Sequence, residues 1–507
     1  MKKYRQAIWD EPLLVEISKQ GRRGYRVPSI EPELSTQFGN IESLIPDEMQ
    51  RSEKPDLPAL SEIQVLRHFI RLSQMNFAID LGFYPLGSCT MKYNPKISDR
   101  ISSASSLRHL HPYQPESSSQ GILEILYRLA KMLENITGED RVSLIPAAGA
   151  HGEYIGALIM KAYHSDREGK NNKRVEMIVP DSAHGTNPAS ASMAGYKVVT
   201  VESDKRGMVD IDKLRSIASE RTAGIMLTVP NTLGLFEKDI VLISKMVHDA
   251  GGLLYYDGAN MNALLGRVRP GDMGFDIIHL NVHKTFSTPH GGGGPGAGPI
   301  GVKRHLIPYL PTPLIDKEDE TFKLNYDLPK SVGSVKSFYG NIGVLVRVYV
   351  YLLLMGRDGL KKSSELAVLA SNYLLSKLDK TFYPISHDKN ILRKHEFVVS
   401  SKPLLEKGVR ALDVAKKILD EGMHAPSIYF PLIVDEAIMI EPTETEPIEE
   451  LDKYAEVLNR IGKESMADSE SVFNSPIMTS IGRLDEYKAS HPKTMKLTWR
   501  GLRAAES

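Results

Sequence analysis

The 507-residue sequence has a single cysteine, Cys89, so it forms no intrachain disulfide. A disulfide scaffold is excluded, and a reducing compartment is the natural setting. Excess charge is also missing, because 63 basic side chains meet 63 acidic ones. Binders of nucleic acid and other polyanions need a basic field, so no nucleic-acid partner is expected. No long apolar run is present. The most apolar stretch, residues 344–355, contains Arg347 and falls short of the roughly 20 residues a membrane span needs. The charged start Met1-Lys2-Lys3-Tyr4-Arg5 leads into no apolar segment of the signal-peptide kind. A cytoplasmic protein that does not associate with membranes is the expectation. With 41% hydrophobic and 25% charged residues, the chain is ordinary globular material. At about 150 residues per domain, its length suggests about three units.

Three regions follow from the patterning. Residues 1–119 read as an N-terminal arm and a substrate-side segment. Pro28, Pro32, Pro46, Pro55 and Pro58 break periodicity early, and Trp9, Leu13, Leu14 and Val15 are the apolar anchors. They dock on this chain's own body or on a partner; the pattern does not separate the two. Residues 120–340 alternate short apolar runs with helix-compatible stretches. Strands are expected at 175–179, 197–201, 224–229, 252–256 and 276–280, and helices from Ile122 to a stop at Gly138, at 211–219 and at 239–250. Such alternation indicates βαβ units and a mostly parallel sheet. Residues 341–507 read as a smaller α+β domain with a charged tail. Helices are expected there at 342–355, 363–378 and 452–461, and strands at 396–400 and 428–434.

The densest chemistry is Asn281-Val282-His283-Lys284-Thr285-Phe286, followed by a proline-bounded glycine loop at 289–299. A desolvated lysine loses its proton more readily and can bond covalently to a carbonyl carbon, and glycines let backbone approach a ligand closely. A lone lysine is usually a solvated charge, and a glycine run alone can be a linker. The order excludes a P-loop, because Lys284 precedes the glycines. Gly296-Ala297-Gly298-Pro299-Ile300-Gly301 matches a dinucleotide fingerprint in spacing only, since Pro299 and a strand-like Ile300-Gly301-Val302 open no helix.

Three further stretches support it. Leu253-Leu254-Tyr255-Tyr256-Asp257-Gly258-Ala259-Asn260 puts an aspartate at the carboxyl end of an apolar strand, where open α/β sheets bind ligands. Seen alone it would be a turn aspartate, but Lys284 lies 27 residues on, about one βαβ unit. His184, in Asp181-Ser182-Ala183-His184-Gly185-Thr186-Asn187, suits stacking on an aromatic ring or a purely structural place equally well. Ala148, Gly149 and Ala150 lead into a helix, whose free N–H groups suit a phosphate; a tight packing turn is nearly as good a reading. A lysine, an acid, a ring-stacking group and a phosphate cradle together match pyridoxal phosphate.

These strings, with residues 83–95, 146–153 and 441–446 and Pro230-Asn231-Thr232-Leu233-Gly234, resemble the pyridoxal-phosphate P-protein of the glycine cleavage system, in particular subunit 2 of its two-subunit form. The resemblance runs from the arm to about residue 460. It implies a fold-type I transferase-like α/β architecture, with pyridoxal 5'-phosphate covalently held on Lys284. It also implies glycine decarboxylation with transfer of the aminomethyl group to the lipoyl arm of H-protein, and a heterotetramer with two copies each of this chain and subunit 1. The implied roles are anchor for Lys284, partner of the ring nitrogen for Asp257 and cover of the ring for His184. Ala148, Gly149, Ala150, Thr228, Ala259 and His283 complete the implied cofactor-binding set, without any metal. Ser88, Thr90 and Lys92 are expected to meet the substrate carboxylate or the lipoyl arm. One departure is Val229, where a polar residue is expected before Pro230. Another fold-type I enzyme, such as a cysteine desulfurase or amino-acid decarboxylase, is the first alternative. It fits less well because Cys89 lies far upstream of Lys284. The second alternative, a non-catalytic scaffolding subunit, is opposed by the presence of Lys284, Asp257 and His184.

Overall fold

A computed structural model describes residues 4–24, 29–39, 44–53, 55, 57–291 and 296–494. Residues 1–3, Tyr25 and Pro28 of the arm, residues 292–295 of the glycine loop and the tail from 495 lie outside the described residues. The chain forms two compact units, one of Met1–Ala78 with Pro476–Ser507 and one of Ile79–Ser475.

The first unit ties the two chain ends together. The Gln6 backbone N–H donates to Met478 O at 3.0 Å. The helix Glu62–Gln74 starts at Ser61, whose N–H donates to the Gln64 side chain at 3.1 Å. Glu11, almost wholly buried, bridges His68 and Arg71 on that helix at 2.9 and 3.0 Å. Trp9 donates its indole N–H to Gln74 but is 44% exposed.

The second unit is built on a seven-stranded sheet. Its strands are β1 (Arg141–Ser143), β2 (Glu176–Pro180), β3 (Lys197–Val201), β4 (Thr222–Thr228), β5 (Leu253–Gly258), β6 (Ile277–Leu280) and β7 (Ile300–Val302). Their order is β1-β7-β6-β5-β4-β2-β3. Pairing from β3 through β2, β4 and β5 to β6 is parallel, and β7 runs against both β6 and β1. Every residue of β4, β5 and β6 is buried. Strands covered on both faces need apolar side chains on both, which is why these read as continuous apolar runs. Alternate residues still part to opposite sides. Ile225, Leu254 and Tyr256 join one core with the helices Glu116–Thr137 and Ile240–Asp249, whereas Met226, Leu253 and Tyr255 join another with the helix Gly149–Glu168. The fold-type I α/β architecture and all five expected parallel strands are thus present. The first long helix stops at Gly138, as expected, in a left-handed turn.

A hairpin, β8 (Leu314–Glu318) with β9 (Thr321–Asn325), leads to the helix Ile342–Lys377. Two helices were expected here, and the helical run does break in two, at Gly356, whose non-helical φ of 57° only glycine adopts readily. Beyond it, β10 (Phe397–Ser400), β11 (Ser427–Ile428) and β12 (Ala437–Ile440) form an antiparallel sheet with β12 in the middle. The helix Ile448–Ala467, longer than the expected 452–461, packs its buried face into the same core. The expected strand at 428–434 is a correction: only Ile428 belongs to a strand. Pro431 has no N–H for a ladder, and Leu432 stands 86% exposed. The buried run Ala437–Ile440 takes the central place instead.

Candidate active site

Four strand ends converge. β4 ends at Thr228 and β5 delivers Asp257, while β2 and β6 run into the segments carrying His184 and Lys284. Asp257 is buried and fully engaged. Oδ2 accepts from Asn187 Nδ2 and Thr228 Oγ1, both at 3.2 Å, and Oδ1 accepts from the Ala259 N–H at 2.9 Å. His279 Nε2 lies 3.4 Å from Oδ1. Burial alone would raise the Asp257 pKa, but His279, Lys284 and the Ala259 N–H together hold it below the ordinary range. This carboxylate therefore stays charged in a dry place, which is what the partner of a protonated ring nitrogen requires. Thr228 and Ala259 serve the aspartate rather than standing free.

Lys284 is buried on a single helical turn, Val282–Thr285, just after β6. His283 and His290 sit edge to face at 4.6 Å beside it. Burial, each other's proximity and the Lys284 charge lower His283 to about 3, and burial and Lys284 lower His290 to about 4. Both are neutral at physiological pH and cannot serve as acids. His184 lies exposed at the mouth, with Nδ1 2.9 Å from Thr186 Oγ1 and its ring edge-on to Phe430 at 5.5 Å. Crowding at the cleft and Lys284 lower its pKa, while Asp257 opposes them.

Ala148, Gly149 and Ala150 open the 20-residue helix Gly149–Glu168. The first N–H groups of a helix have no partner within it, and a β-carbon on Gly149 would come 2.0 Å from Asn281 Oδ1. One on Gly298 would meet Ala148 O at 2.1 Å, so both glycines are sterically required where the loop passes the helix start. Asn281 Oδ1 also lies 2.8 Å from His279 Nε2. The helix start, Asn281, His279 and Asp257 thus form one continuous network running beside Lys284.

These residues fit pyridoxal phosphate on independent grounds. A charged acid, a buried amine and a glycine-lined helix start lie together, and Asn187 Oδ1, Thr285 Oγ1, Thr288 Oγ1 and His290 Nε2 are buried there with lone pairs or donors unmatched by protein. Substituting Gly149 by alanine is expected to displace Asn281 and weaken cofactor binding by about tenfold or more (~1.4 kcal/mol). Fluorescence titration with pyridoxal phosphate measures it, and unchanged affinity would remove the helix start from the site.

Several functional neighbours escaped the sequence reading. Glu153 receives the Thr186 hydroxyl at 3.1 Å and shares the Asp257 network. His279 was hidden within an apolar run. His395, Glu396 and Glu441 form a second cluster, all wholly buried, of which only the 441–446 string gave a hint. The 83–95 loop needs correcting at Lys92, whose ammonium is already engaged by Glu444 (2.7 Å), Asn262 and Thr285 O (2.9 Å each). Ser88 and Thr90 spend their backbone N–H groups on Glu396 and Glu441 at 2.8 and 3.0 Å. Cys89, between them, is mostly buried, and burial pushes its thiol up, with Lys284 opposing. Val229 presents only its carbonyl, to the Tyr256 hydroxyl at 2.5 Å.

The buried acids give the fold a pH dependence. Burial raises Glu139, Glu153 and Glu441 to about 8 and Glu396 to about 7, from 4.5. Between those limits the folded chain holds more protons than the unfolded one, so stability falls as pH rises. Below about pH 6.5 the buried neutral histidines oppose this trend, but above it they are neutral in both states. Tm is therefore expected to drop between pH 6.5 and 8, each retained proton costing about 1.4 kcal/mol per pH unit. Glu139→Gln, which neutralises a carboxyl with both oxygens unpartnered, should shrink the drop. A flat Tm across that window would mean that these buried carboxyls are already ionised at neutral pH.

Comparison with known proteins agrees with this geometry. The family model described as "Glycine cleavage system P-protein" matches residues 36–328, and "Glycine dehydrogenase, C-terminal domain" matches residues 363–476. The chain is 55% identical to "Probable glycine dehydrogenase (decarboxylating) subunit 2" of Thermococcus onnurineus, over 99% of this chain and 98% of the relative. It is 55% identical to the protein of the same name from Pyrococcus abyssi, over 98% and 97%. Among solved structures, a glycine decarboxylase (P-protein) of the glycine cleavage system in inhibitor-bound form matches with a TM-score of 0.72 at 20% identity, covering 86% of this chain and all of that one. A cysteine desulfurase from Thermococcus onnurineus shares the fold at a TM-score of 0.59 and 15% identity, over 77% of this chain and 98% of that one. With family models over most of its length and close relatives over nearly all of it, the chain belongs to the glycine cleavage system P-protein family, among the glycine dehydrogenase (decarboxylating) subunit 2 proteins.

Proposed function

We propose that this chain is the cofactor-bearing subunit of a two-subunit glycine dehydrogenase, decarboxylating glycine and passing the aminomethyl group to the lipoyl arm of H-protein. The observation that carries the reading is the buried carboxylate of Asp257, held charged beside the buried amine of Lys284 at the carboxyl ends of parallel strands. Bound at this site, pyridoxal phosphate supplies an electron sink for the pair left when glycine loses its carboxylate. The chain's own residues set the conditions. Lys284 provides the amine that anchors the cofactor. Asp257, fixed by Asn187, Thr228 and the Ala259 N–H, presents a charge that a protonated ring nitrogen matches. Gly149 and its neighbours offer backbone N–H groups to a phosphate, and His184 stands at the mouth. Burial of the site floor excludes water, which strengthens each of these charges.

Subunit 1 is the expected partner, in a complex with two copies of each chain, and lipoylated H-protein is the expected acceptor. No helix among the described residues is long and apolar enough to cross a membrane. Borohydride reduction of the chain with pyridoxal phosphate, followed by peptide mapping, should place a phosphopyridoxyl group on Lys284. Carboxyl-labelled glycine should then release labelled carbon dioxide when subunit 1 and lipoylated carrier are present. No adduct, alone or with subunit 1, would leave the chain a scaffold.

A further inference from the structure

The reaction proposed above consumes one proton per turnover, and the inference rests on that reading. Glycine loses its carboxylate as carbon dioxide. The electron pair left on carbon forms a new carbon–sulfur bond, the disulfide of the lipoyl arm breaks, and the displaced sulfur leaves as a thiolate. That thiolate takes a proton, which an acid inside the site can deliver directly. His283 and His290 are neutral and have none to give.

The second buried cluster meets the need. Glu396 and Glu441 flank the small sheet, Glu396 just before β10 and Glu441 just after β12. One oxygen of each is fixed by a backbone N–H from the Ser88-Cys89-Thr90 turn, and Asn260 Nδ2 donates to Glu396 Oε1 at 3.1 Å. That amide stands three residues after Asp257, so the cluster is stitched directly to the segment carrying the aspartate. His395 Nε2 faces both acids, 4.0 Å from Glu396 Oε1 and 3.9 Å from Glu441 Oε1. Both His395 nitrogens and Glu441 Oε1 are buried with no hydrogen-bond partner. Such atoms are rare in folded proteins, and a catalytic role is one reason for keeping them. We propose that the buried Glu396–Glu441 pair, faced by His395, is the proton store that supplies the displaced lipoyl sulfur.

Electrostatics agree with the geometry. Two close carboxyl groups in a dry site do not both ionise. Burial, with the charge of Glu396, raises Glu441 to about 8, and burial raises Glu396 to about 7. Lys284 faces both acids and Cys89 lies beside them, while Lys92 and Glu444 act on His395. Burial and Lys284 hold His395 at about 3, so its ring stays neutral and the proton rests on the acids. The pair therefore keeps a proton at neutral pH and gives it up readily.

The test has two arms. Infrared difference spectra of the full chain without cofactor should show a protonated-carboxyl band that fades as pH rises through 7 to 8 and weakens in Glu441→Gln and Glu396→Gln. With subunit 1 and lipoylated carrier, each glutamine variant should slow aminomethyl transfer by about 10²-fold or more, with glycine KM little changed and partial rescue in Glu441→Asp. A wild-type chain with no such band overturns the proposal even where the variants fail to fold. So do glutamine variants that transfer at the wild-type rate. Activity lost to a chelator and restored by a divalent cation also overturns it, making the three donors a metal site. A wild-type complex that makes no aminomethyl product refutes the proposed function instead, and the infrared arm still reports on the pair.

Discussion

Replacing Lys284 with alanine is expected to abolish glycine decarboxylation, by about 10⁴-fold or more, while leaving the chain folded. Among the described residues, Lys92 is the one other buried lysine, and it cannot take over. It is locked to Glu444, Asn262 and Thr285 O. Burial pushes its pKa down, but the Glu444 charge, Tyr351 and the hydrogen bonds to both together raise it, so it remains a protonated, non-nucleophilic ammonium. The neighbouring histidines are neutral but form no lasting linkage with an aldehyde. Alanine suits a single helical turn, but three buried methylenes and a charge that helps hold Asp257 ionised go with the amine. Tm should therefore fall while the fold is kept. Three measurements check this: the yellow band of the covalently held cofactor, borohydride mapping, and labelled carbon dioxide release. A variant that keeps the band and the turnover would remove Lys284 from its assigned place.

How far the fold could be read from sequence depended on where the partners lie. β4, β5 and β6 were legible because strands buried on both faces must be apolar throughout. Asp257 and Lys284 were legible because a polar residue directly after such a run stands at a strand end. The strand Ala437–Ile440 was missed because the neighbouring 428–434 is just as apolar, and only Pro431 argues against a ladder there. Beyond the 441–446 string, the Glu396–Glu441 cluster was not legible. Its anchoring N–H groups come from Ser88 and Thr90, 308 and 351 residues away in sequence. Lys92 was misread for the same reason, since its counter-ion lies 352 residues on. His279 looked like a strand residue, and its role comes from the Tyr255 hydroxyl at 2.6 Å and from Asn281 and Asp257. Local pattern locates strand ends, but it does not say which distant carboxyl meets which amine.

Asp257→Asn should be the second severe variant, with kcat reduced by about 10³-fold or more (~4 kcal/mol). Size is preserved but charge is not, and the pocket is built of donors. Asn187 Nδ2, Thr228 Oγ1 and the Ala259 N–H all point hydrogens at the two oxygens. An amide offers them one oxygen, and its NH₂ confronts the remaining donors, so Asn187 must flip or a hydrogen bond is lost. A neutral amide also gives a protonated ring nitrogen no counter-charge, and the electron sink weakens just when charge develops. Glu153 should report the change independently. The Asp257 charge helps burial raise its pKa to about 8, so removing that charge should let Glu153 ionise at lower pH. Cofactor should still bind through Lys284, giving a loaded but slow enzyme. Asp257→Glu keeps the charge and should recover part of kcat. A near-normal rate in the asparagine variant would mean that His279, rather than the acid, sets the protonation of the ring.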